Sequence, residues 1–423
     1  MTGPAAGRRP LRVAVIARAV MPLHGHGGLE RSVHDLVRYL AADGVFVTLI
    51  VPPATRPGAD PASAFDPQRV RLQHVPYVTF PLANRRGTTV IDRSTAYLAY
   101  GMRAGRAAAR LVDAKTIDIV HGFGASALGY ARARHHAPLV MNPQGLEEFG
   151  GTGGRPGLFK HLGYAPLRAA VRRTARAADA ILATDVSLES TVARHLSPRP
   201  GQMVTIPNGI DLAALDAMAG RADAAAIRAR AGIGADAFVL LSVGRIEANK
   251  GFDVLAAALA AASRAGRPLA ATDWRWVIVG GGPFQQTLVK RIAEHGITER
   301  VRFAGQVPDT ELHAWYVGAS LFVHPTRYEG SSLVTLEAMA HRRAVVATRA
   351  GGLPDKVHPG ENGWLVPPGD AVALAGALDE AVAAGPRLLP MGAAGRAIVE
   401  REFAWPVLAA RHLALYNRLL ASG

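Results

Sequence analysis

"FVLLSVGRIEANKGFDVLAAALAAASRAG", residues 238–266, is followed by "WRWVIVGGG", residues 274–282. The first run, Phe238 to Gly244, is apolar with no polar alternation and stops at a glycine, which reads as a buried strand. The Ala- and Leu-rich stretch from Phe252 has the length and composition of a helix, and the second apolar run ends in three glycines. A strand without a polar face has no side to offer to water, so it belongs in a parallel sheet covered by helices on both faces. The scheme continues through "VRFAG", "DTELHAWYVGA", "LFVHP", "SSLVTLEAMAHR" and "AVVAT". It also opens the chain: "LRVAVIA", then "GLERSVHDLVRYLAADG" with Leu29, Val33, Leu36, Val37 and Leu40 on one helical face, then "VFVTLIV". The expected fold is α/β, with two successive doubly wound, Rossmann-like domains and ligands at the carboxyl ends of their strands.

A length of 423 residues agrees with two cores, and 49% hydrophobic content is enough to fill them. The turn residues Pro207, Asn208 and Gly209 put the boundary between a domain at 1–207 and one at 208–404. The tail from about Trp405 to residue 423 reads as an amphipathic helix. There is no cysteine, which excludes disulfides, a thiol nucleophile and zinc–thiolate sites. The run "VAVIA" is too short for a signal peptide and is followed by Arg18, and no stretch is long and apolar enough to span a membrane. A cytoplasmic protein is expected. Net charge is +15, of which residues 1–207 carry +13. An anionic partner for the first half, or plain solvated arginines, accounts for this equally. The most basic stretch, 155–180, interleaves Arg155, Lys160, Arg168, Arg172, Arg173 and Arg176 with Leu158, Phe159, Leu162, Leu167 and Val171. It reads either as a membrane-surface helix or as an ordinary solvated one. With few aromatics, nucleic acid is not an expected partner.

Candidate chemistry lies in the turns. In "HGHGGLER", Gly27 and Gly28 open a helix whose free amides favour an anion, or form only a tight turn. After the strand at 238, Arg245 and Lys250 bracket a helix start, a suitable clamp for a diphosphate; two surface cations, one paired with Glu247, fit the same residues. In "HPTRYEGSSLVTLEAMA", residues 324–340, Glu329 stands at a helix mouth and Glu337 two turns along it. A carboxylate accepts two sugar hydroxyls side by side, and the amides of Ser331, Ser332 and Leu333 offer further donors. Glu337 is too distant to share one hydroxyl pair with Glu329, so a second group such as a ribose is implied. A capping glutamate and one paired with Arg342 or Arg343 are the structural alternatives. No histidines show metal-ligand spacing and no acidic pair ends a strand, so no metal or cofactor is expected.

Taken in order, "GGLER", "DIVHGF", "IPNGID", "VGRIEANKGFDVL", "VGGGP", "FAGQVPDTEL", "YEGSSLVTLEAMA", "AGGLPDKV" and "ENGWLVPPGD" resemble the family 4 glycosyltransferases. These are retaining, nucleotide-sugar-dependent enzymes of the GT-B architecture, and the resemblance runs over nearly the whole chain. It implies two Rossmann-like domains facing across a cleft, the last helix crossing back to the first domain. Arg245 and Lys250 would bind the donor diphosphate, Glu329 the sugar, Glu337 the ribose and the backbone around Val307 the base. Gly27 and Gly28 would face the donor. His121 would lie near the reacting centre, and Asn142, Gln144 and Glu147 on the acceptor side. The activity implied is transfer of a sugar to an acceptor hydroxyl, lipid-linked or small, in envelope glycan, glycolipid or glycoside synthesis at the inner membrane face. A sugar-nucleotide epimerase, or a non-catalytic binder of sugar nucleotide or acidic lipid, is the alternative. The chain departs from the family at "HRRAVV", where a Gly-x-Pro is usual, and Arg327 stands close to the signature glutamate as a further donor or acceptor contact.

Overall fold

The computed structural model describes residues 9–58, 64–79, 89–150, 158–264 and 266–422; the side chains of residues 147 and 158–160 lie outside the description. Two compact units form, one from Met1–Asn208 with Trp405–Gly423, the other from Gly209–Ala404.

In the first unit seven parallel strands stand in the order β3-β2-β1-β4-β5-β6-β7. They are β1 Arg12–Ile16, β2 Phe46–Val51, β3 Val70–His74, β4 Ile119–Phe123, β5 Leu139–Asn142, β6 Ala180–Ala183 and β7 Met203–Thr205. Val15 sits between Leu49 on one neighbour and His121 on the other. In the second unit β8 Phe238–Val243, β9 Trp274–Val279, β10 Val301–Gly305, β11 Leu321–His324, β12 Val345–Thr348 and β13 Gly363–Val366 stand in the order β10-β9-β8-β11-β12-β13. Each sheet reverses direction of growth once, between β1 and β4 and between β8 and β11. Those two crevices are where a doubly wound sheet holds ligands.

Burial on both faces explains the unbroken apolar strands. Val13 and Val15 enter one core with the helices Gly28–Ala42 and Trp405–Ala421; Ala14 and Ile16 enter the other with helix Ala96–Asp113. In the second unit Leu240, Trp274, Trp276 and Val323 fill one side, and Val239, Leu241, Val277 and Phe322 the opposite one. Each such fully buried side chain contributes about 1.5–3 kcal/mol. Asp185, Asp211, Asp223, Ser332 and Asp370 cap the helices they precede. The helix Trp405–Ala421 returns to the first unit, as the resemblance implied. Trp405 stacks on Tyr39 with ring centroids 6.0 Å apart, and Leu408, Leu415 and Tyr416 join the core under β1.

Two expectations change. The basic stretch forms two helices, Leu158–Gly163 and Ala165–Ala177, and Leu167 and Val171 of the second are buried in the unit's own core. That apolar face is therefore not open to a membrane. Arg172, Arg173 and Arg176 point outward, with Leu162 exposed beside them. Arg155 and most of the loop "GGTGGRPG" lie outside the described residues. At "HRRAVV", Arg342 takes φ 57°, so the left-handed turn is kept with a non-glycine residue, at a cost of about 1–2 kcal/mol.

Candidate active site

The second unit gathers its charge at the β8/β11 crevice. After β8 the chain makes a short turn, Ala248–Lys250, and enters helix Phe252–Ala262 through Gly251 at φ 67°. A Cβ at Gly251 would stand 2.0 Å from the carbonyl oxygen of Pro325, so only glycine lets this turn lie against the chain leaving β11. The two segments are also bonded: Arg327 N–H and the Thr326 hydroxyl both donate to Asn249 O, at 2.7 and 3.0 Å. Lys250 and Glu329, 79 residues apart in sequence, thereby meet, with Nζ 2.7 Å from Oε2. Both side chains are largely buried, at 17% and 14% exposure.

His324 completes the group. Its Nε2 lies 2.7 Å from the same Glu329 Oε2, and Gly330 N–H donates to Oε1 at 3.2 Å. A carboxylate only accepts, so Nε2 carries the hydrogen. Nδ1 is buried with no partner among the described residues, as suits a neutral ring whose Nδ1 is a bare lone pair. Burial lowers the imidazole pKa, Glu329 pulls it up, and the charges of Lys250 and Lys356 press it down, for a net fall. Burial alone would raise the Glu329 carboxyl, but His324 and Lys250 outweigh that and bring it to about 2. Glu329 is thus a fixed anion. Its carbonyl is fixed too: Gly351, at φ 53°, packs so closely that a Cβ there would sit 1.7 Å from Glu329 O.

Ser332 caps helix Leu333–Ala340, accepting from Thr335 N–H at 3.4 Å. Ser331 Oγ is buried and has no partner among the described residues. Glu337 is buried and accepts from the Tyr316 hydroxyl at 2.9 Å. Tyr316 is stacked on His341, whose Nε2 lies 2.8 Å from His313 Nδ1. Val307 follows β10 and packs against the core that holds Tyr316. Arg245 does not join Lys250; it is 78% exposed and pairs with Glu247 at 2.9 Å. Arg327 is not a free contact either, since it grips both carboxylate oxygens of Asp253 at 2.8 Å. Among the described residues no three His, Asp or Glu side chains gather as a cation site.

In the first unit His121 needs correction. It is 0% exposed, inside the layer between β4 and helix Trp405–Ala421. Its Nδ1 meets the Tyr416 hydroxyl at 2.7 Å and its ring stacks on Phe123. Residues 119, 121 and 123 share the strand face that this helix covers, which takes His121 away from any reacting centre in this packing. Asn142 ends β5, and its Oδ1 accepts from Gln144 N–H at 3.1 Å and Nε2 at 2.8 Å. Both Gln144 and Leu29, next to Gly28, line a cavity of about 190 Å³ beside β1, β4 and β5. Gly27 and Gly28 are exposed at the helix mouth; the side chain of residue 147 is outside the description.

Sequence reasoning left His324 open between core and rim and did not single out Tyr316. The only signal for His324 was its place one residue past an apolar run and five before Glu329. Tyr316 gave none, because its partner lies 21 residues on.

Comparison with known proteins follows the same division. The profile described as "Glycosyltransferase Family 4" matches residues 26–214, and that described as "Glycosyl transferases group 1" matches 237–384. A GDP-mannose-dependent alpha-(1-6)-phosphatidylinositol monomannoside mannosyltransferase of Mycolicibacterium smegmatis is 33% identical over 252 residues, 58% of this chain and 63% of that protein. A D-inositol 3-phosphate glycosyltransferase of Acidothermus cellulolyticus is 29% identical over 97% of this chain and 91% of its own length. The chain spans 54–63% of the length of the first three curated relatives it matches. Among solved structures, sucrose-phosphate synthase from Thermosynechococcus elongatus superposes with a TM-score of 0.70 and 26% identity, covering 98% of this chain and all of that one. The two profiles fall one on each doubly wound unit, in family order, and the likeness in three dimensions runs end to end: the chain belongs to the family 4 glycosyltransferases, with their GT-B fold.

Proposed function

We propose that this chain transfers a sugar from a nucleoside-diphosphate sugar to an acceptor hydroxyl with retention of anomeric configuration, without a metal. The Lys250–Glu329–His324 group at the β8/β11 crevice carries the reading. As the bond between the anomeric carbon and the phosphate oxygen breaks, negative charge builds on the departing diphosphate. Lys250 is a fixed ammonium beside that position and stabilises the charge where it develops. Arg245, exposed at the same strand end, adds a second cation once it leaves Glu247. Glu329, held ionised, accepts sugar hydroxyls, and Glu337 accepts those of the ribose, braced by Tyr316. The acceptor hydroxyl attacks from the face the diphosphate leaves. Its oxygen bonds to the anomeric carbon, and its proton passes to the departing phosphate oxygen, so no separate base is required.

A thermal-shift series with nucleoside diphosphates and their sugars tests this. One nucleotide at 100 times its Kd is expected to stabilise the protein by about 2.7 kcal/mol. Glu337→Ala should abolish discrimination between that nucleotide and its 2′-deoxy form. No stabilisation by any nucleoside diphosphate would refute the reading. Product analysis separates transfer from epimerisation, which converts the donor with no acceptor present.

The acceptor belongs to glycolipid, envelope-glycan or small-glycoside synthesis; one relative is named for a phosphatidylinositol monomannoside and another for D-inositol 3-phosphate, which supports an acceptor of this kind. The exposed Arg172, Arg173 and Arg176 support association with an anionic membrane surface by charge alone. Sedimentation with anionic vesicles should fall steeply between low and physiological salt, and equal binding to neutral vesicles would dismiss it.

A further inference from the structure

The cavity of the first unit carries an unbalanced charge. It lies at the β1/β4 crevice, lined by Arg18 just after β1, Phe123 and Gly124 at the end of β4, and the segment Pro143–Leu146 after β5. Arg18 is half-buried, and among the described residues it has neither hydrogen-bond nor ion-pair partner; its guanidinium lies over the Tyr97 ring, 5.7 Å from the centroid. That ring is itself fixed. The Tyr97 hydroxyl donates to Phe123 O at 3.0 Å and accepts from Ala125 N–H at 3.0 Å. The cation is therefore aimed by an aromatic platform that cannot swing. Arg93 also lines the cavity and has contacts of its own. The one carboxylate of the wall, Glu148, lies beside Arg168, which donates to its carbonyl at 3.3 Å. The lining thus has a net positive charge, and Arg18 is the part of it that no group among the described residues answers.

The opposite wall holds strained backbone. Gln144 and Leu146, on either side of Gly145, stand at φ 62° and 49°. Non-glycine residues in that region cluster where a segment serves a ligand rather than the fold. The bonds to Asn142 fix the Gln144 amide with its NH₂ turned inward to the protein, which leaves its oxygen as an acceptor for a hydroxyl.

We infer that this cavity takes the anionic end of the acceptor, a phosphate or carboxylate borne by a polyhydroxyl compound, with Arg18 as its counter-charge and Gln144 on a neighbouring hydroxyl. This rests on the transferase reading above and narrows it to charged acceptors. Two sources share the chemistry, a soluble sugar or polyol phosphate and the phosphate of a lipid headgroup.

Calorimetric titration of the full chain decides it. The donor site is first filled with the nucleoside diphosphate that stabilises the protein most. The ligands are glucose 6-phosphate, myo-inositol 1-phosphate, their neutral parents, and vesicles with and without phosphatidylinositol. At least one phosphate-bearing ligand is expected to bind roughly tenfold to a hundredfold more tightly than its neutral counterpart. Arg18→Gln should erase that ratio and Arg18→Lys should restore part of it. Arg134→Gln, an equal loss of charge on the exposed surface of the same unit, should leave it unchanged. The arm that shows the Arg18-dependent gain identifies the source. A ratio near one in the wild type in every arm, or a ratio that survives Arg18→Gln, overturns the inference. If no nucleoside diphosphate binds, the transferase reading fails, and the same titrations run without it still decide whether the cavity is an anion site.

Discussion

Lys250→Ala is expected to cut sugar transfer by a factor of about 10² to 10³, with the loss in kcat rather than in donor KM. The charge it supplies matters most when the sugar–phosphate bond is breaking, and it is part-neutralised by Glu329 beforehand. Glu329 keeps His324 and the Gly330 amide when Lys250 is gone, so its carboxylate is not left unpaired and the variant folds. Lys250→Arg retains charge but replaces a compact ammonium with a planar fork, and recovers only part of the rate. Steady-state kinetics on the pure variants checks this. Turnover close to wild type in Lys250→Ala would remove the site assignment.

Acid should unfold this protein early, and in a definite place. Burial lowers the His412 pKa to about 4, against a smaller raising effect of its bond to Leu408. Burial likewise lowers His341 to about 3, helped by the neighbouring His313 and Arg343, and holds His121 well below its ordinary value. Each is neutral in the fold, while in the unfolded chain each takes a proton below about pH 6.5. The unfolded state therefore binds more protons throughout that window. The stability these groups contribute is complete above about pH 6.5 and declines as pH falls, toward 4 for His412 and toward 3 for His341. Full titration of His412 alone is worth on the order of 3 kcal/mol, set against a total of about 5–15 kcal/mol. Two of these rings, His121 and His412, lie 5.8 Å apart under helix Trp405–Ala421, so charging both pushes that helix off its sheet. Limited proteolysis at pH 5 should cut first within residues 405–421. Equal resistance at pH 5 and pH 7.5 would contradict the mechanism.

Much of this was legible in the chain. The doubly wound order follows from apolar runs without alternation, and it put the turns that carry Lys250 and Glu329 at the carboxyl ends of their strands, although their direct pairing was not read from the sequence. What escaped were contacts that no local pattern encodes. His121 was expected at the reacting centre from the resemblance of "DIVHGF" alone, yet its environment is set by Tyr416, 295 residues away. Arg245 and Lys250 look alike in sequence, but only Lys250 is on the side of the turn that Gly251 presses against β11. The basic helix shows the same limit: an amphipathic pattern reports that one face is covered, not whether protein or lipid covers it. His324 and Tyr316 act on glutamates through single hydrogen bonds across the fold, and single bonds leave no periodicity.

The helix Trp405–Ala421 has a consequence for biosynthesis. It covers Val13, Val15 and Leu36, yet the entire second unit stands between it and them in the chain and is made before it. A nascent chain therefore carries this side of the sheet only partly covered, by helix Gly28–Ala42, until the second unit has emerged. The packing of the first unit is thus completed only after the second has been made.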